Sequence, residues 1–332
     1  MSNNHLTYFK VENFKKFDSL EVKNIGQFNL IVGDNNVGKT CLLEALLVDD
    51  KGLEYTNSNF LASLINRGIL TPRTLIYSNF SFSNFLPKND GKVRFTLNKL
   101  EVNISYDDKG TDFTDIKESI KELDKTFKYE IDYTFLKDIF KDFNYPLVSF
   151  VNKDFDIIEL YNKLSTKKEK EDLIKALKVI FPLLQDIEHK VEFKQIHNTF
   201  IFTFEDKEEF IPLNYLGDGF RRIFYIVLKA LSLKGKRIMI DEIEIGIHHS
   251  RQKDFFINLF KICKELDVQL FATTHSNECI KAFVEASIEV ENEKEVRVIK
   301  LEESTDKTKI YSSTFYFENI QAGFESNVDL RG

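Results

Sequence analysis

Cysteine is scarce in this sequence, and its spacing fits neither a metal site nor a disulfide framework. Cys41, Cys263 and Cys279 are the three cysteines among 332 residues, and no two of them form a C-x-x-C motif. An odd number of scattered thiols is typical of a reducing compartment. We therefore expect a cytoplasmic protein that binds no metal through cysteine.

Long apolar runs and an excess of positive charge are also missing. No stretch is long enough to span a bilayer, and the start of the sequence lacks the apolar segment of a signal peptide. The 46 Lys and Arg residues stand against 53 Asp and Glu residues, which gives a net charge of −7. We expect no membrane partner. Without a global basic field, nucleic acid could bind only at a local basic groove.

Apolar content is sufficient for a large core, at 42% of the residues. Phenylalanine contributes 32 residues while tryptophan is absent, and at this density phenylalanine is expected to fill the core rather than to stack on bases. The length fits one large domain or a core with a sizeable insertion.

The apolar periodicity predicts an α/β domain with a parallel core sheet. Strands are expected near 5–17, 28–32, 190–204, 237–241, 268–273, 296–301 and 310–317, and helices near 38–48, 218–233 and 249–265. The alternation of strands and helices in the second half of the chain favours a parallel arrangement.

The middle of the sequence is mixed in type and is predicted to be an insertion. Alternating apolar residues at 93–97 and 100–104 predict a hairpin that turns near Asn98. Helical spacing in 111–126 and 154–180 predicts a lobe of helices, the second of which ends before Pro182. We expect a single domain composed of a first core part (1–50), the insertion (51–190) and a second core part (191–332).

Residues 33–40 fit G-x-x-x-x-G-K-[ST] at every position and lie between an apolar strand and an apolar helix. In such a loop glycines let backbone N–H groups surround phosphates, the lysine adds a charge and the threonine hydroxyl can ligate Mg²⁺. The alternative is a loop that binds nothing. The predicted nucleotide-binding residues are Gly33, Asp34, Asn35, Asn36, Val37, Gly38, Lys39, Thr40 and Cys41.

Two adjacent carboxylates, Asp241 and Glu242, follow the apolar segment at 237–240. This pattern is a Walker B strand end, in which the aspartate holds Mg²⁺ and the glutamate polarises the attacking water. We assign Thr40 and Asp241 to the metal and Glu242 to the role of catalytic base. On their own, the two acids would more simply be solvated groups that end a buried strand.

Two further segments carry candidate catalytic residues. His275 follows the apolar strand at 270–273, where an imidazole can donate a hydrogen bond to the γ-phosphate. Gly217, Asp218 and Gly219 begin an apolar helix. Asp218 could simply cap that helix, and both roles can be true together.

With these four motifs in this order, the chain resembles the ABC-type ATPases, and most closely their OLD-like (overcoming lysogenization defect) branch, whose relatives include SMC-type repair ATPases. The resemblance implies an ABC-type P-loop ATPase head with a mixed or parallel core sheet, an N-terminal antiparallel edge sheet and a helical insertion lobe. It also implies ATP and Mg²⁺ as cofactors. ATP rather than GTP rests on the resemblance, with the neighbours of base or ribose expected at Phe14, Lys15, Lys16 and Phe17.

The resemblance further implies that two heads act together. The signature Gly217–Gly219 of one subunit, with Arg221 or Arg222 as a further candidate, would lie against the ATP held by Lys39 of another subunit, so that hydrolysis by Glu242 and His275 needs a homodimer or a higher homo-oligomer. The family's acidic-Gly-His phrase appears at 244–248. It places His248 and His249 at a turn and helix start near the dimer contact rather than in a metal site.

Three departures from the family pattern are visible. No glutamine lies between residues 50 and 100 to supply the usual Mg²⁺ ligand, although Ser78, Asn79 and Asn84 are nearby. Ile243 replaces the usual proline after the Walker B glutamate. Only residues 284–332 follow the last core motif, so a nuclease domain is not expected in this sequence.

The leading expectation is an ATP-hydrolysing dimeric head that serves as sensor, switch or scaffold for a separately encoded effector, a nuclease or toxin, in bacterial antiphage defence or abortive infection. The alternative is an SMC-like repair ATPase that clamps nucleic acid. A transporter subunit is disfavoured, because such heads carry a Ser-Gly-Gly-type signature and a clear glutamine loop.

Overall fold

The computed structural model describes residues 5–47, 92–98, 100–107, 115–122, 125–131, 147–148, 154–178, 181–193 and 196–326. The strands of this part are β1 (Tyr8–Phe14), β2 (Phe17–Lys23), β3 (Phe28–Gly33), β4 (Lys92–Leu97), β5 (Leu100–Asp107), β6 (Asp115–Glu122), β7 (Lys125–Ile131), β8 (Leu147–Val148), β9 (Leu184–Phe193), β10 (Ile196–Phe204), β11 (Ile211–Pro212), β12 (Arg237–Ile240), β13 (Gln269–Thr273), β14 (Val296–Glu303) and β15 (Ile310–Tyr316). The helices are α1 (Lys39–Ala45), α2 (Asp154–Asn162), α3 (Lys167–Lys178), α4 (Gly217–Ser232), α5 (His249–Glu265), α6 (Asn277–Glu289) and α7 (Phe317–Glu325). Within these ranges, no helix has both the length and the apolar character needed to cross a bilayer.

The core sheet has the strand order β15-β14-β3-β13-β12-β8, and all neighbours are parallel except the β14–β15 pair. Strands β3 and β13 are buried along their whole length, as expected for parallel strands that are covered on both faces. Thr273 lies opposite Ile31, and Ala272 lies opposite Ile240. The carboxyl ends of β3, β13 and β12 therefore meet at one edge of the sheet.

A second, antiparallel sheet has the order β2-β1-β4-β5-β6-β7. It contains the predicted hairpin, which turns at Asn98 with a positive φ of 53°. The side-chain oxygen of Asn98 accepts the N–H groups of Thr7 (2.8 Å) and Tyr8 (3.0 Å), which ties the turn to β1. The expected mixed core sheet and N-terminal antiparallel sheet are thus confirmed.

The helix predicted for residues 111–126 was wrong. Residues Asp115–Glu122 form β6, which pairs antiparallel with β5 on one side and β7 on the other. The misleading signal was the spacing of Ile116 and Ile120, because residues four apart share a face in a strand as well as in a helix. This part of the chain extends the N-terminal sheet instead of adding a helix.

The second predicted helix, 154–180, is divided into α2 and α3. A capping box begins α3: Thr166 Oγ1 accepts the Glu169 N–H at 3.2 Å, and the Glu169 carboxylate accepts the Thr166 N–H at 2.9 Å. These hydrogen bonds lower the pKa of Glu169. Leu160 of α2 and Leu173 and Leu177 of α3 are buried in the main hydrophobic cluster, so both helices pack on the core.

Phenylalanine fills the core, as predicted. The twelve largest fully buried side chains of the described residues are all phenylalanines. Phe28 of β3 stacks on Phe260 of α5 with ring centroids 4.3 Å apart, and Phe260 contacts Phe283 of α6 edge-on at 4.9 Å. These rings hold α5 and α6 against one face of the core sheet.

A buried amide ties the N-terminus to the core sheet. Gln269 begins β13 and is fully buried. Its side-chain oxygen accepts the Leu6 N–H at 3.0 Å, while its amide nitrogen donates to the carbonyl groups of Leu6 (2.8 Å) and Gly26 (2.7 Å). The Gly26 carbonyl oxygen also accepts from the Asn29 side chain at 2.8 Å, so Gln269 matters most for the two backbone groups of Leu6.

We predict that Gln269→Leu lowers the free energy of unfolding by about 1–3 kcal/mol, the range for leaving buried backbone groups without partners. Urea denaturation followed by circular dichroism measures the change. Gln185→Leu, at an exposed position in β9, serves as the control and should change the free energy by no more than about 0.5 kcal/mol. Equal stabilities of the two variants would contradict the role given to Gln269.

Candidate nucleotide-binding site

The phosphate loop connects β3 to α1 and needs its glycines for steric reasons. Gly33 and Gly38 have φ values of 138° and 110°, a region that side chains other than glycine rarely adopt. A Cβ atom on Gly33 would lie 2.4 Å from the Leu301 carbonyl oxygen of β14. A Cβ atom on Gly38 would lie 3.0 Å from the Phe17 ring. The loop is therefore a backbone cradle closely bounded by β14 and β2, as a phosphate site requires.

Lys39 places its ammonium group inside this loop. Its Nζ donates to the carbonyl oxygens of Gly33 (2.6 Å) and Asp34 (2.8 Å), and the residue is 5% exposed. Burial lowers the pKa of Lys39, and the carboxylates of Asp241, Asp34, Glu242 and Glu244 oppose that shift. The site thus holds a buried cation that is surrounded by acidic groups.

Thr40 and Asp241 come together as predicted. The Thr40 hydroxyl lies 3.2 Å and 3.1 Å from the two carboxylate oxygens of Asp241. Hydroxyl and carboxylate oxygens are the ligands that Mg²⁺ prefers, and Mg²⁺ usually keeps several waters beside one or two such ligands. The two side chains fit a Mg²⁺ ion held between the phosphate loop and the Walker B strand.

Thr273 fixes the two Walker B acids and was not singled out from the sequence. Its hydroxyl donates to the Asp241 carboxylate at 2.7 Å and accepts the Glu242 N–H at 2.7 Å. The residue is fully buried at the end of β13, between β3 and β12. The sequence did contain a signal for this role, because Thr273 is a polar residue at the end of an otherwise apolar strand.

Glu242 and His275 lie next to each other at the carboxyl edge of the core sheet, on its solvent-exposed side. Their Oε1 and Nε2 atoms are 3.8 Å apart, and both side chains are partly exposed, which leaves room for a substrate and water. Glu242 has a positive φ of 51°. Such a conformation costs energy for residues other than glycine and is typical of functional sites.

Arg222 was one of two candidates for an arginine of the signature, and the structure distinguishes it from Arg221. The Arg222 Nη2 group donates to the carbonyl oxygens of Asp241 (2.5 Å) and Glu242 (2.9 Å). Burial lowers the pKa of Arg222, and the nearby carboxylates of Asp241, Glu242 and Glu244 oppose that shift. Arg221 instead donates to the side chain of Asn214 at 3.0 Å. Arg222 therefore holds the main chain of both Walker B acids.

Gly217, Asp218 and Gly219 form the first turn of α4. The N-cap position is Leu216, without a side-chain capping bond, so the idea that Asp218 caps the helix was wrong. Asp218 is the second residue of the helix, where its negative charge interacts favourably with the helix dipole. A Cβ atom on Gly219 would lie 2.6 Å from the Gly246 carbonyl oxygen. Gly219 is therefore required for packing against the loop that follows the Walker B acids.

Only some of the four residues expected near the base or ribose, residues 14–17, lie at the phosphate loop. Phe14 and Phe17 are buried in the core, so neither ring is free to stack on a base. Lys15 forms an ion pair with Glu44 of α1, and Lys16 donates to the Asn36 carbonyl oxygen of the phosphate loop. Of the four, Lys16 donates to the loop, and the buried Phe17 ring packs beside Gly38.

The remaining candidates are settled in part. His248 is the N-cap of α5 and His249 is its first residue, as the resemblance implied. Across the portions of the chain with described coordinates, no group of three or more His, Cys, Asp or Glu side chains could hold a metal ion. Cys41 lies half-buried in the first turn of α1. Ser78, Asn79 and Asn84 lie outside the described residues.

The fold is similar to two solved Smc head structures. A Smc head bound to the C-winged helix domain of ScpA has a TM-score of 0.53 and 10% identity, and the match covers 95% of this chain and 99% of that one. A Smc head with an extended coiled coil, bound to the C-terminal domain of ScpA derived from Pyrococcus furiosus, has a TM-score of 0.52 and 11% identity, with coverages of 97% and 99%. At these identities the likeness shows the fold alone, which is the α/β fold of the Smc heads.

Two curated proteins are similar in sequence. The chain is 24% identical to the "ATP/GTP phosphatase" of Helicobacter pylori over 97% of its own length and 99% of that protein. It is 33% identical to an uncharacterized protein of Methanocaldococcus jannaschii over 118 residues, which are 35% of this chain and all of that protein.

A family model described as "AAA domain, putative AbiEii toxin, Type IV TA system" matches residues 28–280. The matched range begins at β3 and ends within α6, so it contains the phosphate loop, the signature turn, the Walker B acids and His275. Because the match covers well over half of the residues, the chain belongs to this AAA-domain family of nucleotide-binding P-loop proteins.

Proposed function

We propose that the protein hydrolyses ATP at the carboxyl edge of its core sheet. The observation that carries this proposal is the convergence of three segments far apart in sequence: Thr40 contacts Asp241, Thr273 holds both Walker B acids, and His275 lies 3.8 Å from Glu242. A site built only to bind phosphate would not need a base and an imidazole beside the loop. The name of the Helicobacter pylori relative supports a nucleoside triphosphate as substrate.

Each side chain then has a defined task. Glu242 accepts the proton of the water that attacks the terminal phosphate, and His275 donates a hydrogen bond to an oxygen of that phosphate. Lys39 and the backbone of residues 33–40 bind the phosphates. Thr40 and Asp241 would hold Mg²⁺, which supplies positive charge to the phosphate oxygens when bound.

The exposed start of α4 supports a second copy as partner. Gly217 and Asp218 are exposed, and a Cβ atom on Gly217 would meet no atom within 4 Å, so this turn has an open face for a partner. The φ of 79° already accounts for a glycine at position 217, so the support comes from the exposure of the turn. In our proposal this turn contacts the nucleotide held by another copy, in a homodimer or a higher homo-oligomer. Hydrolysis is then coupled to the arrangement of the two heads.

The cellular role that we favour is a switch or scaffold for a separately encoded effector, a nuclease or toxin, in antiphage defence or abortive infection. The family description, which names a toxin–antitoxin system, supports this setting. The second candidate is an SMC-like head that clamps nucleic acid, which the fold of the Smc heads favours. Affinity for DNA that falls steeply with salt, together with DNA-stimulated turnover, would favour the second candidate.

We predict that Glu242→Gln lowers the rate of ATP hydrolysis by about 10² to 10⁴-fold, since it removes the proton acceptor but keeps the size of the side chain. ATP binding is retained, so light scattering should detect an ATP-dependent dimer that accumulates in this variant. Phosphate release measures turnover, and Glu205→Gln, at an exposed carboxylate after β10, is the control. Unchanged turnover in Glu242→Gln would disprove its role as base.

Lys39→Met is predicted to weaken nucleotide binding by about 10- to 100-fold, because the variant loses charge-assisted hydrogen bonds to the phosphates. Titration calorimetry with ATP in the presence of Mg²⁺ measures the affinity. Lys261→Met on α5, away from the phosphate loop, should bind as the wild type does. If Lys39→Met binds ATP with wild-type affinity, the loop is not the phosphate site.

A further inference from the structure

Glu244 lies two residues after the proposed catalytic base, and so far it has appeared only as one of the carboxylates near Lys39 and Arg222. Its Oε1 atom accepts the backbone N–H of His275 at 2.9 Å. The loop around it is a series of tight turns, in which Ile245 N donates to the Glu242 carbonyl oxygen and Ile247 N donates to the Glu244 carbonyl oxygen, both at 3.1 Å. The carboxylate thus joins the loop after β12 to the residue that carries the imidazole.

The other oxygen of Glu244 has an unusual environment. Oε2 is buried and has no hydrogen-bond partner among the described residues. Leaving a buried acceptor without a partner is unfavourable. Packing therefore does not account for a carboxylate here, whereas the bond from Oε1 to His275 gives the residue a specific task.

The two sequence neighbours of His275 are each held by a hydrogen bond. Thr274 N donates to the Ile31 carbonyl oxygen at 3.1 Å, and Ser276 caps α6 by accepting the Cys279 N–H at 3.1 Å. The backbone N–H of His275 points instead to Glu244. Glu244 is therefore the contact through which the Walker B loop can hold the imidazole at its distance from Glu242.

We propose that Glu244 is a positioning residue, which fixes the backbone of His275 so that its imidazole can act together with Glu242. This inference rests on the proposed hydrolysis. Loss of this contact is expected to slow hydrolysis, because a displacement of reacting groups by about 1 Å can lower the rate roughly 10²-fold. Nucleotide binding by the phosphate loop does not depend on the bond to His275.

The test compares Glu244→Ala with Glu244→Gln. Alanine removes the acceptor, so kcat is expected to fall by about 10- to 100-fold. Both variants lose the charge near Lys39, so their ATP affinities, measured by calorimetry, should differ from each other by less than about twofold. Glutamine keeps an oxygen that can accept the same N–H, so kcat should stay within about threefold of wild type. Glu278→Ala is the matched control. This acid lies near His275, in the first turn of α6, but it accepts the Ser276 hydroxyl instead of the His275 N–H.

A double-variant cycle decides whether Glu244 acts through His275. Since Glu244 acts through the imidazole, adding Glu244→Ala to the His275→Ala variant should lower kcat by less than about a further twofold. Effects that multiply, or a wild-type kcat in Glu244→Ala, would overturn the inference. An equal loss in Glu244→Gln and Glu244→Ala would also overturn it.

Hydrogen exchange separates this inference from the proposed reaction. The amide of His275 should exchange faster in Glu244→Ala than in wild type, whether or not the protein hydrolyses ATP. If the wild-type protein lacks turnover but the His275 amide exchanges faster in Glu244→Ala, the proposed function fails while the contact between Glu244 and His275 stands. If turnover is present and exchange at residues 273–277 is unchanged, the positioning role fails.

Discussion

The hydroxyl of Thr273 is the contact on which the geometry of the site depends. Parallel strands bring their carboxyl ends to one edge, but they do not by themselves orient the side chains that follow. Thr273 does so by donating to Asp241 and accepting from the Glu242 N–H. Asp241 is thereby turned toward Thr40, and the chain is turned so that the carboxylate of Glu242 lies beside His275. A serine could form the same bonds, but it would lack the methyl group that fills this buried position.

The signature turn and the Walker B loop form one structural unit within a single chain. Arg222 holds the carbonyl oxygens of Asp241 and Glu242, and Gly219 packs directly on Gly246. A buried guanidinium is costly to desolvate, and it is retained here because three carboxylates and two carbonyl oxygens surround it. The start of α4 is therefore tied directly to the backbone of Asp241 and Glu242, which is the route by which the proposed contact with a second copy would reach these two acids.

Contiguous motifs were predictable from the sequence, and so was the proximity of Thr40 and Asp241, whereas the side-chain contacts that position the site were not. The phosphate loop and the helix predicted at 249–265 were found where expected, because local spacing specifies them. The sequence indicated Glu244 only as part of the acidic-Gly-His phrase and Thr273 only as the end of a strand. The contacts of both residues, with partners 31 positions away in sequence, are created by the fold. Strand β6 was mistaken for a helix because an interval of four residues fits both periods. Ser276, which caps α6, was a local signal that sequence reasoning overlooked.

Gly219 illustrates why the signature has to be interpreted residue by residue. In the family pattern its glycine is expected for close approach of the partner's nucleotide, but Gly246 of the same chain already excludes a Cβ atom at this position. The glycine is therefore no evidence for a dimer. Gly217 is different, because it is exposed and a Cβ atom there would meet open space, although its φ of 79° strains other residues. The sequence argument for a composite site thus rests on Gly217 and Asp218, while Gly219 belongs to the architecture of the single head.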